Sequence, residues 1–591
     1  MTDDIFSIFP HIADAPNGVQ KLRELIVQLA VQGKLVEQDP NDEPANVLLA
    51  RITAQKEKLI KSGELRRRKG PKVVEPEEWP FVLPKTWEWT RLNVLGAVNP
   101  RNAVDDDTVG SFIPMGLIPQ ALGEPVKQES KAWREMKKGY THFAERDVVV
   151  AKITPCFQNG KSAVMRGLEN GIGAGTTELH VFRDVTHSLC PEYFLLFMKT
   201  PGFISEGEAC MTGTAGQKRV PKEYFAFTPV SLPPLAEQKR IVAKVDELMA
   251  VCDQLEEQQQ RKTKLRIRTG KSALNQLQQA QDVNDIKTAW TRIADNIHIL
   301  FDHPETIPNL RATILQLAVR GKLVEQDPND EPANVLLARI TAQKEKLIKS
   351  GELRRRKGPK VVEPEEWPFV LPKTWEWTRL NVLGAVNPRN AVDDDTVGSF
   401  IPMGLIPQAL GEPVKQESKA WREMKKGYTH FAERDVVVAK ITPCFQNGKS
   451  AVMRGLENGI GAGTTELHVF RDVTHSLCPE YFLLFMKTPG FISEGEACMT
   501  GTAGQKRVPK EYFAFTPVSL PPLAEQHRIV AKVEELMALC DQLEGALQTA
   551  DQTADRLAAA VVHQITTPEA SAPEPGPAPA AESQPYQPEL F

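Results

Sequence analysis

The chain has 591 residues, 41% hydrophobic and 25% charged, a globular composition with room for several cores. Its net charge of -4 advertises no polyanion partner, so any contact with nucleic acid has to be made by local patches. No apolar run reaches the roughly 18 residues of a membrane span, Met1–Ile5 lacks a secretory signal pattern, and eight cysteines without a CxxC pair fit a reducing compartment. A cytoplasmic protein with no membrane contact is expected.

In chain order, Leu22, Leu25, Ile26, Leu29 and Ala30 predict an amphipathic helix ending at Gly33. A second helix is expected from near Glu43 to Ser62-Gly63. The basic run Arg66-Arg67-Arg68-Lys69-Gly70-Pro71-Lys72 follows. It reads equally as a solvated face or, beside a DNA-reading domain, as a phosphate clamp. A mixed α and β domain opens near Trp79, with strands over Val148–Ile153 and Glu178–Arg183 and a helix over Pro191–Lys199.

From Leu235 the period changes. Ile241, Val245, Leu248, Cys252 and Leu255 step by four and three, and a longer seam runs through Ile529, Val533, Leu536, Cys540, Leu543, Leu547, Ala550, Ala554, Leu557 and Val561. Such seams predict two long helices whose obvious partners are each other, a spacer of fixed length between globular domains. Thr566–Phe591 is rich in Pro, Ala and Glu without periodicity and is expected to be a disordered tail.

The chain also repeats itself. Gly33–Gln238 recurs letter for letter as Gly321–Gln526, 288 residues on (321 − 33). Outside the block the copies have drifted: Gln32 is matched by Arg320, Lys239 by His527 and Val251 by Leu539. A period this long means two whole domains rather than a solenoid. Identity that spares every exposed loop position points to recent duplication, gene conversion or transplantation of one half over the other.

Catalytic signatures are missing. Gly171–Thr177 is Gly-rich but lacks GxGxxG spacing, and it reads as a turn. Gly160-Lys161-Ser162 resembles the end of a P-loop, but Pro155 stands where the upstream glycine belongs. Asn99-Pro100-Arg101-Asn102 shares two letters with the tetrapeptide by which amino-methyltransferases grip a base. No HExxH, GxSxG or paired-carboxylate pattern occurs. The candidates that remain are polar, basic loops at strand ends: Lys152, Thr154, Gln158, Asn159 and Lys161 in one, and Thr212, Thr214, Gln217, Lys218 and Arg219 in the other. Their copies are Lys440, Thr442, Gln446, Asn447 and Lys449, and Thr500, Thr502, Gln505, Lys506 and Arg507. Gln and Asn can pair bidentately with adenine and Arg or Lys with guanine, while Thr and Lys hold phosphates.

Several stretches resemble a known family. Leu83-Pro84-Lys85-Thr86-Trp87-Glu88-Trp89 resembles the opening of its target recognition domains. Phe143-Ala144-Glu145-Arg146-Asp147-Val148-Val149 resembles a strand entry, Leu232-Pro233-Pro234-Leu235-Ala236-Glu237-Gln238 the junction into a conserved helix, and Gln28–Leu35 the "A-V-x-G-K-L" element. Each recurs 288 residues on. The sequence is thus similar to the DNA specificity subunits of type I restriction-modification enzymes, over nearly all but its tail.

That resemblance implies a non-catalytic subunit acting in phage defence. It would bind double-stranded DNA, two methyltransferase subunits and translocating restriction subunits, with S-adenosylmethionine, ATP and magnesium on those partners. The expected architecture is α+β: two mixed α/β target recognition domains joined by two long antiparallel helices, with pseudo-twofold symmetry. Boundaries are expected at 1–78 (helical conserved region), 79–234 (first recognition domain), 235–366 (central region with the first long helix), 367–522 (second recognition domain), 523–565 (second long helix) and 566–591 (tail). Family members usually carry unlike recognition domains and read asymmetric split sites, whereas identical readers about a dyad would bind an interrupted palindrome. Other readings are a coiled-coil scaffold for protein partners and, third, an enzyme acting alone.

Overall fold

The computed structural model describes residue 9 and residues 12–67, 70–214, 216–280, 283–355, 357–502 and 504–566. Two compact units emerge, one of residues up to 260 together with those from 550 onward, the other of residues 261–549.

In the first unit α1 spans Gly18–Val31 and buries Leu22, Leu25, Ile26 and Leu29, the face set by spacings of three and four. It ends before Gly33, whose φ is +71° and whose Cβ, were there one, would stand 2.5 Å from Pro84 Cγ. Only glycine meets both demands, so the "G-K-L" element is where the helical region seats the start of the recognition domain. The next helix, α2, spans Ala45–Lys61, and its Lys56 ammonium donates to the carbonyls of Asn93, Val94 and Gly96.

The described residues of this domain form ten strands: β1 (Glu88–Arg91), β2 (Ala97–Val98), β3 (Val109–Ile113), β4 (Glu129–Ala132), β5 (Thr141–Ala144), β6 (Val148–Ala151), β7 (Ser162–Val164), β8 (Ile172–Gly175), β9 (Leu179–Arg183) and β10 (Pro229–Leu232). One four-stranded sheet has the order β2-β9-β6-β7 and another β4-β3-β8-β5, while β1 and β10 form a separate pair. Val149, Ala151 and Val181 point into a core shared with Ile113 and Phe143. The alternate residues Val148, Val150 and Phe182 join a second core with the helix α3 (Pro191–Met198). Period-two alternation thus buries β6 on both faces. Helices α4 (Pro201–Ala209) and α5 (Lys222–Phe227) complete the domain, which leads into α6 (Leu235–Gln279).

The Gly-rich stretch read as a turn is β8, running parallel to β3 and antiparallel to β5. Its glycines serve packing. A Cβ on Gly173 would meet the Phe143 ring at 2.3 Å, and one on Gly175 would meet the Ile113 carbonyl oxygen at 2.5 Å.

The second unit holds α7 (Val283–Asp295), α8 (Ile307–Val319) and α9 (Ala333–Lys349), the same strand orders 288 residues on, α10 (Lys510–Phe515), and most of α11 (Leu523–Thr566). Each long helix has residues in both units. Within the first unit, Arg23 of α1 pairs with Asp253 at 2.6 Å and Glu256 at 2.7 Å, and Gln259 reaches back to the Ala13 carbonyl. Lys21 pairs with Asp555 at 2.5 Å while Gln32 reaches the Thr566 carbonyl. Rising numbers on α1 therefore meet falling numbers on α6 and rising ones on α11, so the two long helices run antiparallel there.

Two expectations about these helices need correction. Leu557 does not lie on the seam: it is 65% exposed, and Ala558 (4%) takes the inward position. Ala550 is exposed as well. A helix with 3.6 residues per turn drifts from a strict 3.5 repeat, and with no inward leucine after Leu547 to hold the register the next residue turns in. The first helix continues past Leu255 to Gln279, where Leu274 and Leu277 are buried again. Thr566 ends α11, and the rest of the expected tail lies outside the described residues, as do Arg68 and Lys69 of the basic run.

The Leu-Pro-Pro-Leu-Ala-Glu-Gln junction also explains itself. Glu237 and Glu525 are fully buried, accepting from the indole N–H groups of Trp87 (3.0 Å) and Trp375 (2.9 Å). Gln238 bridges the junction by donating to the Pro233 carbonyl and accepting from the Cys190 N–H. Burial pushes the Glu525 carboxyl up to about 7, and its Oε1 has no partner among the described residues. A carboxyl that holds its proton more tightly when folded contributes stability at low pH. That contribution is lost as pH rises from the ordinary glutamate value of 4.5 to about 7. Glu525→Gln is therefore expected to raise stability by about 1–3 kcal/mol at about pH 8 and little at about pH 4, measured by thermal unfolding at the two values.

Candidate nucleic-acid interface

At Ala151 the buried strand β6 ends and the chain turns outward. The Lys152 N–H donates to the Glu178 carbonyl and the Lys152 carbonyl accepts from Val220 N–H. Ile153 then forms a bridge with Arg219, and Thr154 N–H donates to the Lys218 carbonyl at 3.0 Å. The two loops chosen separately from sequence are thus joined edge to edge into one surface, and the copies at Ile441 and Arg507 are joined the same way.

Both loops are anchored. Phe157 is buried and packs 5.9 Å from the Phe203 ring, and Gly207 lies so close that a Cβ would meet Phe157 at 2.5 Å. The other loop closes on itself: Thr212 and Arg219 exchange backbone hydrogen bonds at 3.1 and 2.8 Å, and Gln217 N–H donates to the Thr214 carbonyl.

The ten candidate side chains of each domain fall into two groups. Arg219 makes a two-pronged pair with Glu178 at 2.8 and 2.9 Å and donates to the Gln217 carbonyl, and this guanidinium holds the Glu178 carboxyl below its usual range. Gln158 donates to Glu208 at 2.5 Å and Lys161 to the Met115 carbonyl at 3.1 Å. Lys152 is half-buried, and Thr154 Oγ1 is buried without a partner among the described residues, although Thr442 Oγ1 donates to the Gly504 carbonyl. Asn159, Thr212, Thr214, Gln217 and Lys218 are exposed, and no side-chain hydrogen bond engages them among the described residues. The same sorting holds for Arg507, Gln446 and Lys449 against Asn447, Thr500, Thr502, Gln505 and Lys506. The surface therefore has a fastened base and an unengaged rim, and the rim carries two amides, two hydroxyls and an ammonium.

Sequence reasoning passed over two residues that shape this surface. Glu178 was noted only as the start of a strand, although an acidic residue entering a buried strand is a signal for a paired cation. Lys199 ends the helix α3, where its ammonium donates to the carbonyls of Gln120 (2.7 Å) and Gly160 (2.8 Å); burial pulls it down to about 8. It pins the turn that carries Gln158 and Asn159. Lys199→Met removes both bonds, leaving the Gly160 carbonyl with only the Ser162 hydroxyl at 3.0 Å, and is expected to cost about 1–3 kcal/mol of stability, read by urea unfolding. His180, by contrast, sits between the loops as a neutral spacer: burial pulls it to about 4, and it stacks 5.0 Å from Phe225. Among the described residues no group of three or more His, Cys, Asp or Glu is placed to hold a metal ion, and no helix is long and apolar enough to cross a membrane.

Comparison with known proteins gives the family of the chain. Residues 170–265 match a family model described as the type I restriction modification DNA specificity domain. The chain is 38% identical over 557 residues to the type I restriction enzyme EcoEI specificity subunit of Escherichia coli, covering 92% of this chain and 93% of that one. It is 38% identical over 554 residues to the EcoAI specificity subunit of the same organism, again covering 92% and 93%. A crystal structure of the HsdS subunit from Thermoanaerobacter tengcongensis aligns at 18% identity over 82% of this chain and 98% of that one, with a TM-score of 0.42, too distant to add to the argument. Identity sustained over nine-tenths of both partners places this chain in the family of type I restriction enzyme specificity subunits.

Proposed function

We propose that each recognition domain reads one half of a split DNA site through the joined loops at 152–161 and 212–219, and at 440–449 and 500–507, and that the two halves are inverted copies of one sequence. Gln217, Lys218 and Asn159 supply the base-reading and phosphate-holding groups, with Thr212 and Thr214 alongside. Arg219, clamped by Glu178, holds the two loops in register. The chain contributes recognition, while methyl transfer and cleavage, with S-adenosylmethionine, ATP and magnesium, belong to two methyltransferase subunits and to translocating restriction subunits in the cytoplasm.

The observation that carries the palindrome is the identity of the two reading surfaces, residue for residue from Gly33 to Gln238 and from Gly321 to Gln526. Identical readers on antiparallel helices favour inverted half-sites, as symmetric proteins favour symmetric operators. Mapping methylated bases in cells that express this chain with its methyltransferase partner tests the reading. An interrupted palindrome modified on both strands is expected. Unlike half-sites would refute the symmetric reading while leaving the family intact.

A further inference from the structure

The basic run left open between solvated face and phosphate clamp lies over a cleft in the second unit of about 450 Å³. Lys344, Arg354, Arg355, Lys357, Lys360 and Lys510 line it, against Glu345 and Glu511. Glu345 is already engaged with Arg355 at 2.6 Å, so the wall is strongly cationic.

The strand of chain carrying these cations is fixed on both sides. Before it, Leu353 N–H donates to the Leu347 carbonyl at the end of α9. After it, Gly358 presses on Phe515 so closely that a Cβ would meet the ring at 2.5 Å. Asn381 then donates to the Pro359 carbonyl at 3.0 Å, and Arg379 donates twice to the Val361 carbonyl at 2.9 and 3.0 Å. A run of like charges with no function is normally left loose in solvent. Here backbone carbonyls and one aromatic ring hold the chain at Leu353 and again from Gly358 to Val361, while Arg354, Lys357 and Lys360 stay exposed.

The cleft adjoins the reading surface through α10. That helix starts at Lys510, three residues after Arg507, and Val508 N–H donates to the Lys440 carbonyl. This continuity makes the cleft the neighbouring place for the flank of a duplex that lies on the joined loops. The identical sequence stands in the first unit at Arg66, Arg67, Lys72 and Lys222, where Arg67 pairs with Glu57 and Asn93 grips the Pro71 carbonyl.

We infer that this cleft is a second DNA-contacting surface, which takes backbone phosphates flanking the half-site and carries no sequence information. The inference rests on the reading of the joined loops as the DNA surface. Phosphate neutralisation of this kind acts through counterion release, whose signature is a salt dependence shared by all sequences.

The test uses the full chain with Arg354, Lys357 and Lys360 all changed to Gln, measured on duplexes of matched and unrelated sequence over a salt series. The slope of log affinity against log salt is expected to become shallower by about 2–3, since each phosphate no longer neutralised removes about 0.9. Matched and unrelated duplexes should lose affinity by the same factor. Duplexes trimmed of their flanks should bind the parent and the variant alike. Gln505→Ala with Lys506→Ala provides the control. An unchanged slope in the triple variant, with binding weakened in the control, overturns the inference and keeps the loop reading. Unchanged binding in both sinks the loop reading itself. Two further results would also overturn the inference in favour of another ligand. One is an unaltered DNA slope with loss of methyltransferase co-purification, which assigns the wall to an acidic protein surface. The other is an unaltered slope with inorganic phosphate raising the unfolding temperature of the parent alone, which assigns it to a free anion.

Discussion

Asp147→Ala is expected to remove about 2–4 kcal/mol from the stability of the first recognition domain. Asp147 is 1% exposed and receives Arg183 Nε and Nη2 at distances from 2.7 to 3.0 Å, together with the Ala144 N–H at 2.7 Å. Burial alone pushes its carboxyl up, and the Arg183 hydrogen bonds pull the other way, so the pair is held by geometry. Removing the carboxylate leaves a guanidinium whose remaining partner is Asn102 Oδ1 and an unpaired backbone donor. Because the second domain is identical in sequence, it serves as an internal reference. Calorimetry of the parent should show coincident melting of the two domains, and the variant a separate transition roughly 5–15 °C lower. Asp435→Ala should mirror it in the other half. A single unsplit transition at the parent temperature would show that the pair contributes nothing. Arg183→Met added to Asp147→Ala should recover part of the loss, because the two residues act as one unit.

The second large effect concerns recognition. Gln217→Ala and Gln505→Ala are each expected to cost about 1–3 kcal/mol of discrimination at one base pair of their half-site. Because the residues sit on separate units, the effects should add, so the double variant discriminates about 25-fold to 10⁴-fold less well than the parent. Competition binding between matched duplexes and duplexes changed at the corresponding pair of both half-sites reads this directly. The amide is neutral, so the salt slope should stay put, in contrast to Lys218→Ala. A double variant no worse than either single one would mean that only one of the two surfaces reads DNA.

Much of this architecture is legible in the residues because it follows from period. Leu22, Leu25, Ile26 and Leu29 announce their helix, and Val148–Ala151 announces a strand buried on both sides. The motif Phe-Ala-Glu-Arg-Asp is visible as a pattern, but its reason is not: Asp147 meets Arg183 only because β6 and β9 are neighbours, a pairing between residues far apart in sequence. The same limit explains why the candidate loops were picked as two patches and not one. Ile153 and Arg219 are brought together by tertiary structure, and nothing local marks them as partners. Gly171–Gly175 misled for a different reason. Glycine lowers strand propensity, yet Phe143 and the β3 carbonyls require its lack of a side chain. Leu557 misled because a heptad written on paper is stricter than the helix that carries it.

The fastened base beneath an unengaged rim also bears on how such a protein changes its target. Asn159, Thr214 and Gln217 can be exchanged without touching Glu178, Arg219 or Phe157, so on the proposed reading new preferences are open to single nucleotide changes in the gene. Under the proposed inverted half-sites, a change in one copy strikes one half only and turns a symmetric address into an asymmetric one. The host chromosome then carries its protective marks at the old addresses. Divergence of the halves is therefore safe only as fast as the genome can be marked anew, which gives copying of one half over the other a standing advantage.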